Sequence, residues 1–212
     1  MTDVWLPGWQ CSPTCFQPLW QRLYSKPPQC LSFAGAQSHW AEWLDAQVSE
    51  LPASTRLIGW SLGGMLAVEL ARHSERVTSV LVLNANTRFY GGGGLSEPVA
   101  EGFRLRYARS PNAARRKFSA LVNPDHPEDV ESYLLDGDHR QTLNWLYDLR
   151  LTERCPSATV SVLLSKNDAL VPYQSAHAGW ARLQANVTGI AGFHDVCRTH
   201  SKAVAQWIKT HE

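Results

Sequence analysis

Apolar residues along this chain follow two rhythms. Short apolar or β-branched-rich runs occur at Val4-Trp5-Leu6, at 29–33, 55–60, 77–83, 159–164 and 186–190. Runs of that length predict strands buried on both faces. Between them the apolar positions recur every three to four residues. Phe16, Leu19, Trp20 and Leu23 form one such set, and Trp40, Trp43, Leu44 and Val48 another. Met65, Val68 and Leu70 continue the theme. This spacing predicts helices over 16–23, from a Ser38 cap to about 51–52, over 61–73, over 174–183 and over 199–209.

Strand alternating with helix implies an α/β fold, with a mostly parallel sheet of about six strands and helices on both faces. The stretch 86–154 breaks the alternation. It lacks strand signals, reads as helical and is too long for one crossover. The expected organisation is a core of 1–85 and 155–212, with 86–154 inserted as a helical lid. Gly91 to Gly94 would be the flexible hinge where that lid leaves the core.

Composition narrows the class. At 212 residues, 44% hydrophobic and 18% charged, the chain is one ordered domain rather than a disordered one. No apolar run approaches the ~20 residues of a membrane span. The opening MTDVWLPGW has no basic-then-apolar leader, so a cytoplasmic protein is expected; it is also expected to be a monomer. A net charge of +1 gives no global reason to bind nucleic acid or an anionic membrane. Five cysteines, with Cys11 and Cys15 the only close pair, are expected as reduced thiols, without a metal site.

The sharpest local signal is Gly59-Trp60-Ser61-Leu62-Gly63. A G-x-S-x-G between strand and helix is a nucleophile elbow: a strained turn whose neighbours must be nearly side-chain-free, lifting Ser61 above the sheet. A serine hydroxyl needs a base and an orienting acid. In this arrangement the order is Ser, acid, His, each after a strand. Asp168 follows the strand 159–164, and His194 follows the last strand. Asp195 adjoins His194 too closely to orient it. His177 and His200 fall on helices and are expected to be surface or packing residues. The alternative acid position after the fourth strand holds Asn84 and Asn86, which favours Asp168. The oxyanion donors should be the backbone N–H of Leu62 and, in the turn Pro7-Gly8-Trp9, that of Trp9. No cofactor is implied.

The motifs LPGW, GWSLGG, NDALVP and GFHD together resemble the α/β-hydrolase superfamily, and most of all the pimeloyl-acyl-carrier-protein methyl ester esterases of biotin synthesis. This sequence has Pro7 where that family usually has His. The resemblance implies a cytoplasmic serine esterase whose helical lid uses basic residues to dock an acidic carrier protein.

In the insertion, Arg104, Arg106, Arg109, Arg115, Arg116 and Lys117 form a basic run without acids, and 125–138 holds six acids without Lys or Arg. Such runs either pair with each other in solvent, at ~0–1 kcal/mol per pair, or present a basic face to an acidic partner. Under the resemblance, Arg104, Arg109, Arg115 and Arg116 are partner-binding candidates. Phe103, Tyr107, Phe118, Leu121, Trp145 and Leu146 are candidates for the lid's underside, and Phe103, Tyr107 and Trp145, with Trp60, for substrate binding. Rival readings are a thioesterase, acyltransferase or lyase on the same fold, or a non-catalytic relic that only binds.

Overall fold

A computed structural model describes residues 1–211. The chain opens on β1 (Thr2–Leu6), makes a 3-10 turn (Pro13–Phe16) and continues into α1 (Gln17–Leu23), β2 (Gln29–Cys30) and α2 (Trp40–Val48). β3 (Thr55–Trp60), α3 (Leu62–His73) and β4 (Val77–Leu83) follow. Four helices then intervene: α4 (Glu97–Arg109), α5 (Pro111–Val122), α6 (Pro127–Glu131) and α7 (Arg140–Asp148). β5 (Thr159–Ser165), α8 (Tyr173–Arg182), β6 (Asn186–Ile190), α9 (Val196–Thr199) and α10 (Ser201–Lys209) complete the fold.

All six strands pair in parallel, in the order β2-β1-β3-β4-β5-β6. β3 is buried along its whole length, Arg56 included through its pair with Asp3, and α3 beside it is almost wholly buried. The strand order reverses between β1 and β3. In an open parallel sheet, the crevice beyond the carboxyl ends of the strands at such a reversal is where ligands bind. Gly8 and Trp9 leave β1 at that point, and Ser61 leaves β3. Among the described residues no helix is long and apolar enough to cross a membrane.

Several expectations shift locally. The α2 cap is His39, whose ring accepts from the Ala41 N–H, while the Ser38 carbonyl instead accepts from Trp145 Nε1 and Gln141 Nε2. The last helix breaks at His200 into α9 and α10. The Gly91–Gly94 segment is a closed turn: the Gly91 N–H bonds the Leu95 carbonyl, and the Leu95 N–H returns to the Phe89 carbonyl.

Candidate active site

Ser61 sits between β3 and α3 with φ 56° and ψ −124°, a conformation a non-glycine residue adopts only under strain of ~1–3 kcal/mol. The strain is held from both sides. The Ser61 N–H donates to the Leu83 carbonyl at 2.9 Å, and its own carbonyl accepts from Gly64 and Met65. Side chains at the flanking glycines would have no room. A methyl at Gly59 would collide with the Gly63 carbonyl, and one at Gly63 with the carbonyls of Leu6 and Pro7.

Asp168 and His194 meet, as their order after β5 and β6 predicts. His194 Nδ1 lies 2.7 Å from Asp168 Oδ2, both side chains being buried. The other carboxylate oxygen, Oδ1, accepts from the Leu170 and Val171 N–H groups at 2.8 and 2.9 Å. A carboxylate accepting on that side fixes the proton on Nδ1 and leaves Nε2 with its lone pair. Nε2 is buried without a hydrogen-bond partner among the described residues, and the ring lines the same cavity as Ser61. Ser61 and the His194 ring thus line one cavity with Asp168 holding the ring from behind, the set of groups acyl transfer uses, although Ser61 Oγ and Nε2 are not hydrogen-bonded to each other. Trp9 and Leu62 line that cavity too.

Two residues fix the histidine loop in a role not expected of them. Trp60 Nε1 and Asn84 Nδ2 each donate to the His194 carbonyl at 3.0 Å. The Asn84 amide also bonds the Phe193 carbonyl and Ser165 Oγ, and its oxygen accepts from the Ser165 N–H at 2.7 Å. Asn84 therefore joins the ends of β4 and β5 to the loop carrying His194. Its place after β4, where an acid could stand, was the signal that could have flagged it.

Asp195 does not approach the Nδ1 side of the ring. It is 1% exposed and neither carboxylate oxygen has a hydrogen-bond partner among the described residues. Burial pushes its carboxyl up to about 7, against smaller opposing effects of Arg198, Tyr133, His194 and Asn123.

The cavity is walled by Phe89, Phe103, Phe118, Leu146, Leu170 and Val171. It is narrow, about 20 Å³, room for about one water. A cleft of about 290 Å³ adjoins it through Phe89, Phe103 and Leu170 and runs between α4 and α5, with Arg106 and Lys117 among its lining.

Three of the expected substrate-contacting residues are placed elsewhere. Trp60 is fully buried behind His194, its ring against the imidazole. Trp145 packs on Phe33 and Trp43, far down the inserted segment's contact with the core. Tyr107 backs Trp9 and receives the His139 N–H at its hydroxyl. Aromatic spacing on a helix identifies a buried face but not whether that face meets protein or cavity. Of the underside candidates, Phe103, Phe118 and Leu146 line the cavity, and Phe103 is the one of them also expected to contact substrate.

Among the basic candidates, Arg115 is committed internally. Its guanidinium donates to the carbonyls of Leu134 and Leu135 and pairs with Asp136 at 2.9 Å. It is a strut of the insertion, not an open docking cation. Arg104 lies over the Tyr147 ring. Arg109 and Arg116 are exposed, and among the described residues they, Arg106 and Lys117 form no ion pair.

The model of the alpha/beta hydrolase family matches residues 4–206. The chain belongs to the alpha/beta hydrolase family. Over 96% of its length this hydrolase is 29% identical to half of the biotin biosynthesis bifunctional protein BioHC of Cellvibrio japonicus. Over 37% of the chain it is 34% identical to 36% of the pimeloyl-[acyl-carrier protein] methyl ester esterase of Aromatoleum aromaticum. The chain spans half or less of the length of the curated relatives it matches. Among solved structures, a hydrolase from Oleispira antarctica superposes with a TM-score of 0.82 at 12% identity, covering 100% of this chain and 90% of that one. BioG from Haemophilus influenzae superposes at 0.70 and 18% identity, covering 92% and 89%.

Proposed function

We propose that this hydrolase is a cytoplasmic serine carboxylesterase and that its substrate is the methyl ester of a carrier-bound pimeloyl chain. The observation that carries the esterase reading is the 2.7 Å His194–Asp168 pair, whose imidazole lines one cavity with a strained Ser61. His194 Nε2 takes the Ser61 proton as Oγ attacks the ester carbonyl. The Leu62 and Trp9 N–H groups receive the oxyanion. The bond to the alkoxy group breaks, His194 returns the proton to the departing alcohol, and an acyl-serine remains. Water then attacks with His194 again as base, releasing the acid and restoring Ser61.

The carrier-bound substrate is supported by the named relatives and by the inserted segment, 86–154, acting as a lid over the core. Its cleft is apolar along its length and carries two cations, Arg106 and Lys117, without a carboxylate partner among the described residues. Among those residues Arg115 alone of the six basic ones bridges to a carboxylate of the acidic run. The bland reading, mutual neutralisation of the two runs, therefore covers little of that charge.

The test is a comparison of purified protein on carrier-linked methyl pimelate, free dimethyl pimelate, p-nitrophenyl butyrate and a butyryl thioester. The proposal expects kcat/KM to be highest on the carrier-linked ester. A preference for the thioester would replace the esterase with the thioesterase, and equal rates on free and carrier-linked methyl esters would remove the carrier protein.

A further inference from the structure

We infer that the Trp9 side chain is a positioning residue that ties the oxyanion turn to the inserted helices, so that this half of the oxyanion hole is set only when those helices are seated. The inference rests on the serine esterase reading and concerns how its oxyanion site is built.

The Leu62 N–H heads a buried helix and is fixed by the elbow itself. The Trp9 N–H lies in the turn after β1, which packs on the elbow at Gly63 and closes on itself through the Cys11 N–H and the Gly8 carbonyl at 3.1 Å. The Trp9 side chain is secured from above. Trp9 Nε1 donates to the His139 carbonyl at 3.2 Å, and the His139 N–H in turn donates to the Tyr107 hydroxyl at 2.9 Å. The indole is packed edge-on against Phe103, Tyr107 and Phe118 at centroid distances of 5.2 to 5.6 Å. Those three rings come from α4 and α5. The turn's next residues are stitched to the same segment. The Leu135 N–H donates to the Gln10 carbonyl, and the Ser12 N–H to the Tyr133 carbonyl, both at 2.8 Å. Gln10 itself is held at φ 60°, a left-handed conformation that costs free energy and persists only where surroundings impose it. A displaced helical segment would remove these contacts together, leaving the turn its packing on the elbow and the Cys11–Gly8 bond, which do not fix the indole. The proline at position 7 offers the turn no backbone N–H of its own.

Substitution separates this role from simple packing. Tyr107→Phe deletes one hydroxyl and keeps the ring; Trp9→Phe deletes the indole N–H. An oxyanion donor removed outright costs ~10²–10³ in kcat, so a donor that is merely misaligned should cost roughly tenfold. The expected result for each variant, on p-nitrophenyl butyrate, is kcat reduced about tenfold with KM within about twofold, and a parallel loss in affinity for an alkyl boronic acid, which becomes tetrahedral on Ser61. The double variant should lose less than the product of the two, because both act on one chain of contacts. Loss in KM alone, or unchanged kcat and boronate affinity in both variants, would overturn the inference. Tyr107→Phe decides the matter if Trp9→Phe proves too unstable to purify. Labelling of wild-type Ser61 by a fluorophosphonate distinguishes the two levels. Its absence would sink the esterase reading and the inference with it, whereas labelled wild type with unaffected variants would sink the inference alone.

Discussion

The floor of the candidate site and its roof are held together in different ways. On the floor, the candidate catalytic side chains are fixed by the sheet. Ser61 hangs from the Leu83 carbonyl, Asp168 is gripped by two backbone N–H groups, and the His194 carbonyl is pinned by Trp60 and Asn84. On the roof, α4 to α7 contribute mainly ring contacts and a few long-range hydrogen bonds to the same cavity. A sheet end offers rigid, directional restraint, which a triad needs at the level of tenths of an ångström. Aromatic packing is less directional and can accommodate different acyl groups. The difference teaches where to look for chemistry and where for selectivity: floor variants, and roof variants that release the Trp9 turn, should lose rate on every ester, whereas the other roof variants should discriminate between esters.

The largest expected effect is on the floor. Ser61→Ala should lower kcat by on the order of 10⁶ without changing the fold, the scale on which a nucleophile counts. Asp168→Asn should follow at about 10⁴, because an amide that presents its NH₂ to Nδ1 selects the wrong imidazole tautomer. Steady-state rates on a p-nitrophenyl ester, with circular dichroism as the folding control, check both. More than a few per cent of activity left in Ser61→Ala would remove the serine from the mechanism. A loss greater in Asp195→Asn than in Asp168→Asn would reverse the acid assignment.

Asp195 carries the next prediction, this time on stability. Its carboxyl ordinarily titrates near 3.8 and burial raises it to about 7 in the fold. The native state thus holds the proton more tightly than the unfolded chain. That contribution to stability is complete below about pH 4 and is lost progressively as pH rises to about 7. The whole span amounts to ~4 kcal/mol at 1.36 kcal/mol per unit, as an order of magnitude. An amide in place of this carboxyl would carry no such dependence. Asp195→Asn should therefore gain in Tm relative to wild type between pH 5 and pH 8, by several degrees for a domain of this size. A Tm difference that stays constant across that range would show that Asp195 finds compensation in the folded state.

The floor was also the more legible part of the sequence. Thr55–Trp60, Val77–Leu83 and Asn186–Ile190 are strands with the bounds their apolar runs predict. The elbow could be read because its chemistry is local: two glycines, a serine, a strand before and a helix after. Asp168 and His194 were legible through order alone, since a parallel sheet delivers every strand end to the same edge. Asn84 and Trp60 were less legible, because the carbonyl they bind lies 110 and 134 residues further along the chain, and no spacing encodes that. The roof was read only as helices with an aromatic side. Phe103 faces the cavity, while Tyr107, one turn on, faces Trp9 and His139. Both positions carry the same apolar signal, and only tertiary packing tells them apart. Arg115 likewise looked like its neighbour Arg116 until the carbonyls of Leu134 and Leu135 claimed it.

The smallest expected effect lies on the roof's rim and probes its selectivity directly. Arg106 and Lys117 line the cleft from α4 and α5 and have no carboxylate partner among the described residues. If they steer an anionic, carrier-linked substrate, Arg106→Glu with Lys117→Glu should lower kcat/KM on that substrate by roughly tenfold at low salt, with kcat little changed. The loss should shrink toward physiological ionic strength, where the screening length is about 8 Å. Turnover of p-nitrophenyl butyrate, which has no charge to be steered, should stay within about twofold of wild type. The same reversal at Arg115 would not be equivalent, since it breaks the bonds to Leu134 and Leu135 and loosens the segment for every substrate. Arg116→Glu, on the exposed neighbour, is the matched control for charge without that strut. Equal losses on neutral and carrier-linked esters, without salt dependence, would mean that the rim acts through lid packing, and the carrier protein would lose its electrostatic support while the triad kept its own.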